Sequence, residues 1–194
     1  GVADVSADGN GFYGIFNDGG IFTIENGANV SVCNNSDAGI LNNKHGTFTM
    51  ETGANVSVCN NSSAGIFNTN SGTLFTVERN VDLQVEHNQN SGIVNNDNAT
   101  LTLLSGRVRY NTTSRYGGGL RNHSTATLSD DVQLYNNHAA IGGDDIESGD
   151  DIENGGSATI TFGPTGRGWE LDGDPDCYDF ITGWYDDHET TRWN

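Results

Sequence analysis

Short stretches in which apolar and hydroxyl residues alternate recur along the chain and predict β-strands with one buried face. They occupy residues 21–24, 47–50, 74–77, 100–103, 126–129 and 159–162. No segment carries the period of an amphipathic helix. The pattern therefore predicts an all-β protein that is built from short strands.

A second pattern, glycine followed by an apolar residue and two positions later by asparagine, sets the repeat length. It occupies residues 14–17, 39–42, 65–68, 92–95 and 119–122, at intervals of 25, 26, 27 and 27 residues. Residues 27–36 are also repeated almost unchanged at 53–62. A unit of three short strands cannot bury its own apolar face, so the units must stack coaxially. We predict a right-handed parallel β-helix of about six coils over residues 1–163, with residues 1–13 as a partial first coil.

Stacking places equivalent residues of successive coils in columns, roughly 4.8 Å apart. Phe22, Phe48, Phe75 and Leu101 should form one inward column, and the isoleucines of the glycine pattern another. The asparagines of that pattern should form a ladder in which each side-chain amide bonds to the next coil. The predicted ladder consists of Asn17, Asn42, Asn68, Asn95 and Asn122.

Two outward columns are also expected. Phe16, Leu41, Phe67 and Val94 follow the buried isoleucines, so they form either an exposed apolar stripe that marks a binding surface or a stripe covered by a neighbouring loop. The other column carries hydroxyl groups and is predicted as Thr23, Thr49, Thr76, Thr102, Ser129 and Thr161. A second set of hydroxyl residues widens it: Thr47, Thr100, Thr127 and Thr159.

The repeat resembles the pectate-lyase-like β-helix repeats of large Gram-positive and gut-bacterial surface adhesins. The similarity covers residues 11–163 and is clearest in the glycine corner at 92–96 and the Thr-Leu-Thr-Leu strand at 100–103. It implies a secreted or wall-anchored bacterial protein. The same architecture serves several functions, so the resemblance specifies the fold more strongly than the activity.

Composition narrows the range of partners. The net charge of −18, from 26 acidic and 8 basic residues, disfavours nucleic acid and anionic membrane surfaces. No apolar run is long enough to insert into a membrane, and neither a signal segment nor an anchor is recognisable, so we expect a monomeric module cut from a longer multidomain chain. Cys33 and Cys59 occupy equivalent repeat positions and, with Cys177, are either free thiols or contribute one bridge.

The repeat decays after residue 122. Residues 143–156 contain a tandem acidic insertion, and residues 164–194 lose the period and are rich in aromatic residues. Because the end of a solenoid exposes core and strand edges, we predict a C-terminal cap there. Its aromatic residues are an alternative ligand platform: Trp169, Tyr178, Trp184, Tyr185 and Trp193. Its alternating carboxylates form either a solvated acidic loop, with no cofactor, or a calcium site: Asp172, Asp174, Asp176 and Asp179.

Three functions are compatible with these features. Pectin- or uronate-active enzymes of this architecture carry a histidine motif or a basic catalytic residue that this chain lacks, so no enzymatic activity and no catalytic residue is expected. The hydroxyl column resembles the threonine arrays of ice-binding solenoids. The interpretation that we favour is a non-catalytic surface module. It is either a rigid spacer or an adhesin, and the ligand of the adhesin is a host glycan or matrix protein.

Overall fold

The computed structural model describes residues 3–115, 117–129, 131–140, 152–155, 158–162, 170–172 and 178–181. These residues contain strands and no helix, and three parallel sheets wind into a β-solenoid of about five turns. The predicted fold class is confirmed, and the solenoid has slightly fewer turns than the six predicted. The acidic insertion lies largely outside the described residues, which include only its 152–155 segment.

Sheet A consists of the strands that open each coil, and all of its pairings are parallel. In spatial order the strands are β1 (Asp4–Ser6), β4 (Asn29–Cys33), β7 (Asn55–Cys59), β10 (Asp82–Glu86), β13 (Gly106–Arg109) and β17 (Val132–Tyr135).

Sheet B contains the strands that follow the glycine corners. They are β2 (Ile15–Asp18), β5 (Ile40–Asn43), β8 (Ile66–Asn68), β11 (Ile93–Asn95), β15 (Leu120–Asn122), β19 (Ile152–Gly155) and β22 (Tyr178–Ile181). The first six are parallel, whereas β22 pairs antiparallel with β19.

Sheet C contains the strands that alternate apolar and hydroxyl residues. They are β3 (Ile21–Ile24), β6 (Thr47–Met50), β9 (Leu74–Val77), β12 (Thr100–Leu103), β16 (Thr125–Leu128), β20 (Thr159–Phe162) and β21 (Glu170–Asp172). Here β21 is antiparallel to β20. A small fourth sheet pairs β14 (Thr112–Thr113) with β18 (His138–Ala139).

The core lies between the three sheets and consists of the predicted inward columns. Phe48 and Phe75 are fully buried and their rings stack at 4.7 Å with an interplanar angle of 6°. Phe22 continues the stack at 4.8 Å but is only partly buried, because it lies in the first coil. The isoleucine column is buried from Ile15 to Ile93. A narrow core of this kind depends on the neighbouring coil for most of its contacts.

The predicted asparagine ladder is present, and its members are buried. Each Nδ2 donates to the Oδ1 of the next asparagine, over distances of 2.8, 3.0, 2.9 and 2.8 Å along the series from Asn17 to Asn122. The same Nδ2 groups also donate to backbone carbonyls of the adjoining strands in sheet C, as Asn68 does to Thr100. The ladder thereby links the corner of each coil to two neighbours.

A second asparagine ladder, not predicted from the sequence, lies at the corner between sheets A and B. Each Nδ2, and each backbone N–H, donates to the Oδ1 of the next member, with Nδ2 to Oδ1 distances of 2.9 Å throughout. Its members are Asn10, Asn35, Asn61, Asn88, Asn111 and Asn137. Two corners of the solenoid are therefore fixed by hydrogen bonds between side chains.

The predicted hydroxyl column is wrong in one coil. Thr127, not Ser129, lies opposite Thr102 and Thr161, and Thr125 lies opposite Thr100 and Thr159. Ser129 is buried instead and donates its hydroxyl to the carbonyl of Leu104. The difference is a shift of two residues, so Ala126 and Leu128 point inward in both the predicted and the observed register.

Cys33 and Cys59 lie opposite each other in neighbouring strands of sheet A and are joined by a disulfide. Their Cα atoms are 4.5 Å apart. The sequence left open whether these cysteines are free thiols or form a bridge, and the structure has the bridge. Cys177 lies outside the described residues.

Candidate functional site

The aromatic and acidic residues predicted as a ligand site in the C-terminal segment fall mostly outside the described residues. Trp169, Trp184, Tyr185, Trp193, Asp174 and Asp176 all do so. The backbone of Tyr178 pairs opposite Gly155 and that of Asp179 opposite Asn154, both in sheet B, whereas Asp172 lies opposite Thr159 in sheet C. The two antiparallel strands thus cover the last edges of two sheets. The aromatic platform, the calcium site and the cap boundary stay predictions.

The outward apolar stripe on sheet B is open at one end only. Phe16, Leu41, Phe67 and Val94 lie in register on successive strands, as predicted. Leu41 and Val94 are nevertheless 6% and 1% exposed, and Phe67 is half-buried, whereas Phe16 is 53% exposed. Of the two alternatives left open by the sequence, covering applies to Leu41 and Val94 and in part to Phe67, and exposure applies to Phe16.

Phe16 belongs to a group of three aromatic rings, Phe12, Tyr13 and Phe16, which we call the aromatic cluster. The Phe12 and Tyr13 ring centroids are 4.3 Å apart in an edge-to-face arrangement. The Tyr13 and Phe16 centroids are 5.4 Å apart and tilted by 42°. Phe12 is 60% exposed, whereas Tyr13 is half-buried between the other two. The cluster therefore presents two open rings, held apart by a third.

The loop that carries Phe12 and Tyr13 is anchored at both ends. At its start, the backbone N–H and Nδ2 of Asn10 both donate to Oδ1 of Asn35. At its end, Gly14 packs so closely that a Cβ there would lie 2.5 Å from a methyl group of Val32. Between them, the carbonyl of Phe12 accepts a hydrogen bond from the Asp37 N–H at 3.3 Å. The loop is thus fastened to the second coil, and its rings are preorganised.

Charged groups border the aromatic cluster. Burial, and then the nearby negative charge of Asp37, raises the pKa of the Tyr13 hydroxyl, so its phenol is held neutral. On the same face of strand β2 as Phe16, the carboxylate of Asp18 forms an exposed ion pair with Lys44 at 2.9 Å. The cluster is therefore an apolar surface with a rim of hydrogen-bonding groups.

A polar face on sheet A is the second surface with distinct chemistry. Over the first three strands it contains a shallow cleft of about 390 Å³, in which hydroxyl, amide and carboxylate groups lie beside the buried Val30 and the exposed Val5. At its edge, slight burial raises the pKa of Asp8, but hydrogen bonds from the Cys33 N–H, Ser6 and Ser31 outweigh this effect and lower it. This carboxylate is consequently held ionised, which is opposite to what a general acid requires.

Within the described part of the chain, no group of three or more histidine, cysteine, aspartate or glutamate side chains converges as a metal site. The same residues contain no helix long and apolar enough to cross a membrane.

Sequence reasoning missed Phe12 and Tyr13, which precede the first glycine corner and have no counterparts in later coils. The signal was present as a Phe-Tyr pair three residues before Phe16. The second ladder could also have been found, from the Asn-Asn pairs at 34–35 and 60–61.

Comparison of the chain with family models, with curated proteins and with solved structures found no match in any of the three.

Proposed function

We propose that this solenoid is a non-catalytic adhesion module of a bacterial surface protein, and that it binds a neutral glycan through the aromatic cluster. The observation that carries the proposal is the pair of exposed rings: Phe12 lies on a loop that is fastened to a rigid stack, and Phe16 lies on strand β2 of that stack. The resemblance of the repeat to pectate-lyase-like adhesin repeats supports the setting, namely a secreted or wall-anchored multidomain chain.

The chemistry of the cluster favours a sugar over other ligands. The C–H-bearing face of a pyranose is apolar and stacks on an aromatic ring, while its hydroxyl groups need polar partners at the rim. Asp18, Lys44 and Asp37 supply charged partners beside the rings. With a net charge of −18, the protein repels sulfated or sialylated chains, so a neutral glycan fits best.

Rigidity supports the same proposal. Two asparagine ladders and continuous parallel pairing hold neighbouring coils in a fixed register. A ligand that binds to a preorganised surface does not lose free energy in ordering that surface, so a small cluster suffices for weak binding. Many copies of the module on one cell surface then raise the overall avidity. The same rigidity would serve a spacer, which needs no ligand surface.

The test is a glycan and matrix-protein array probed with the purified chain, in calcium and in chelator, beside F16A and F12A. We expect saturable binding to a neutral glycan, weakened about tenfold by either variant. I21A is the matched control, since it removes an exposed apolar side chain from another sheet. W184A tests whether the C-terminal segment binds instead.

A blank array would overturn the adhesin proposal and leave the rigid spacer. Binding that depends on Trp184 and not on Phe16 would move the ligand site to the C-terminal segment. Calcium dependence would support a metal site in that segment.

A further inference from the structure

The outward side chains of sheet C form two straight columns, which we call the threonine face. The first column has threonine in four of the six parallel strands and an apolar residue in the other two, and the second has threonine in all six. The columns are Ile21, Thr47, Leu74, Thr100, Thr125 and Thr159, and Thr23, Thr49, Thr76, Thr102, Thr127 and Thr161. The correction at Thr127 is what makes the second column complete.

The threonine face carries no charged side chain in either column, although the chain has 26 acidic and 8 basic residues. The other two sheets do carry charges on their outer faces, for example Asp82 on sheet A and Asp18 on sheet B. A charged group holds its water tightly and would resist contact with a neutral surface. The two columns are therefore uncharged, and acidic residues border them: Glu25, Glu51 and Glu78 stand two residues beyond the second column, and Asp172 and Glu170 pair opposite Thr159 and Thr161 on the last strand.

The hydroxyl groups of the threonine face are free to bond outward. Among the described residues, none of its ten threonine hydroxyls makes a side-chain hydrogen bond within the protein. Elsewhere such groups are engaged, as when Thr52 donates to the carbonyl of Arg79. Ile21 and Leu74 are 86% and 44% exposed, so the face also has apolar character.

The spacing of these groups forms a two-dimensional lattice. Neighbouring coils are about 4.8 Å apart, and two residues along a parallel strand span about 6.6 Å. Parallel pairing is in register through six strands, without a bulge. The buried asparagine ladder behind the face, from Asn17 to Asn122, keeps the coils from sliding.

We propose that the threonine face binds ice. Within a plane of an ice crystal, the distances between equivalent oxygen atoms are close to the two spacings of this lattice. Water molecules that are ordered on the face therefore match the arrangement in the crystal. Each contact is weak, but ten hydroxyls and their methyl groups engage together on a rigid sheet. A soluble ligand without this repeat engages only a few of them, and the face has no aromatic side chain for a sugar ring.

The test uses the whole chain and ice itself. The chain is cooled with single ice crystals, and the crystal shape, the gap between melting and growth temperatures and the rate of recrystallisation are measured. We expect faceted crystals and a measurable gap. T102K places a charge in the middle of the face and should reduce the gap roughly tenfold. Q84K introduces the same charge on sheet A of the same coil and should leave the temperature gap unchanged.

Circular dichroism establishes that each variant keeps its β structure, and T49K provides a second position if T102K does not fold. Wild-type protein that leaves ice crystals round and growing at the melting temperature would overturn the proposal. Full activity of a folded T102K would overturn it too, because the ice would then bind elsewhere. Loss of activity in both T102K and Q84K would indicate a general effect of added charge and would contradict the assignment to this face.

Discussion

The Nδ2 of Asn42 donates to the Oδ1 of Asn68 at 3.0 Å inside the solenoid, and neither side chain is exposed to solvent. Each of the two therefore satisfies a buried group of the other, and Asn68 passes the same interaction on to Asn95. A buried amide without a partner costs more than the bond itself contributes, so the ladder is most sensitive in its middle.

Asn68→Leu should consequently destabilise the fold by about 1–3 kcal/mol, because Asn42 loses its acceptor and Asn95 loses its donor. Urea denaturation followed by circular dichroism measures the change. The exposed Asn29→Leu, whose amide bonds only to Asp4, is the matched control and should have a much smaller effect. An unchanged midpoint for Asn68→Leu would contradict a structural role for the ladder.

The Cys33–Cys59 disulfide should stabilise the first coils. It closes a loop across 26 residues, which in the chain-entropy account destabilises the unfolded state by about 3.5 kcal/mol. The double variant C33S/C59S should therefore unfold at lower denaturant concentration than the oxidised wild type and match the reduced wild type. Equal stability of oxidised and reduced protein would show that the bridge does not restrain the unfolded chain.

Gly39 should not tolerate even a methyl group. A Cβ at this corner would lie 2.6 Å from Asn61 Nδ2 and 2.8 Å from both the Gly65 carbonyl and a Val58 methyl. We expect Gly39→Ala to cost about 1–3 kcal/mol through overpacking and displacement of the second ladder. Gly11→Ala meets nothing within 4 Å and serves as the control. Thermal melting of both variants measures the difference, and equal melting temperatures would argue against close packing at the corner.

The ionisation of Tyr13 should report on the aromatic cluster. Burial and Asp37 raise its pKa, so the folded state favours the neutral phenol. The stability that the neutral Tyr13 phenol contributes is present below the pKa of about 10 that tyrosine has in the unfolded chain. It is lost as the pH rises through the higher pKa of the folded state. Asp37→Asn should lower the pKa of Tyr13 towards the ordinary value without reaching it, because burial remains.

The measurement is the difference in ultraviolet pH titration between each protein and its Tyr13→Phe counterpart, which isolates one phenol. Tyr13→Phe should also resist alkaline unfolding better than the wild type. If the Asp37→Asn titration coincided with that of the wild type, the charge of Asp37 would have no effect at the ring.

The sequence determined the fold because a solenoid is a one-dimensional problem. The interval between equivalent glycines sets the coil, and equivalent residues then meet in columns without further information. Phe48 and Phe75, or Asn42 and Asn68, are placed together by a shift of one unit. The prediction failed at Ser129, where the register had to be chosen within a single unit and was placed two residues away from the observed one, so that Thr127 faces outward in both but lies opposite a different threonine.

The repeat pattern alone does not predict the candidate site. Phe12 and Tyr13 occur once, so no column places them, and their position depends on how the loop packs against Asp37 and Asn35 of the next coil. The exposure of Phe16 and the burial of Leu41 were likewise undetermined, since both occupy the same column position. Periodicity thus determined which residues share a column, and tertiary packing decided which of them meet solvent, because burial depends on non-repeating loops that the period does not encode.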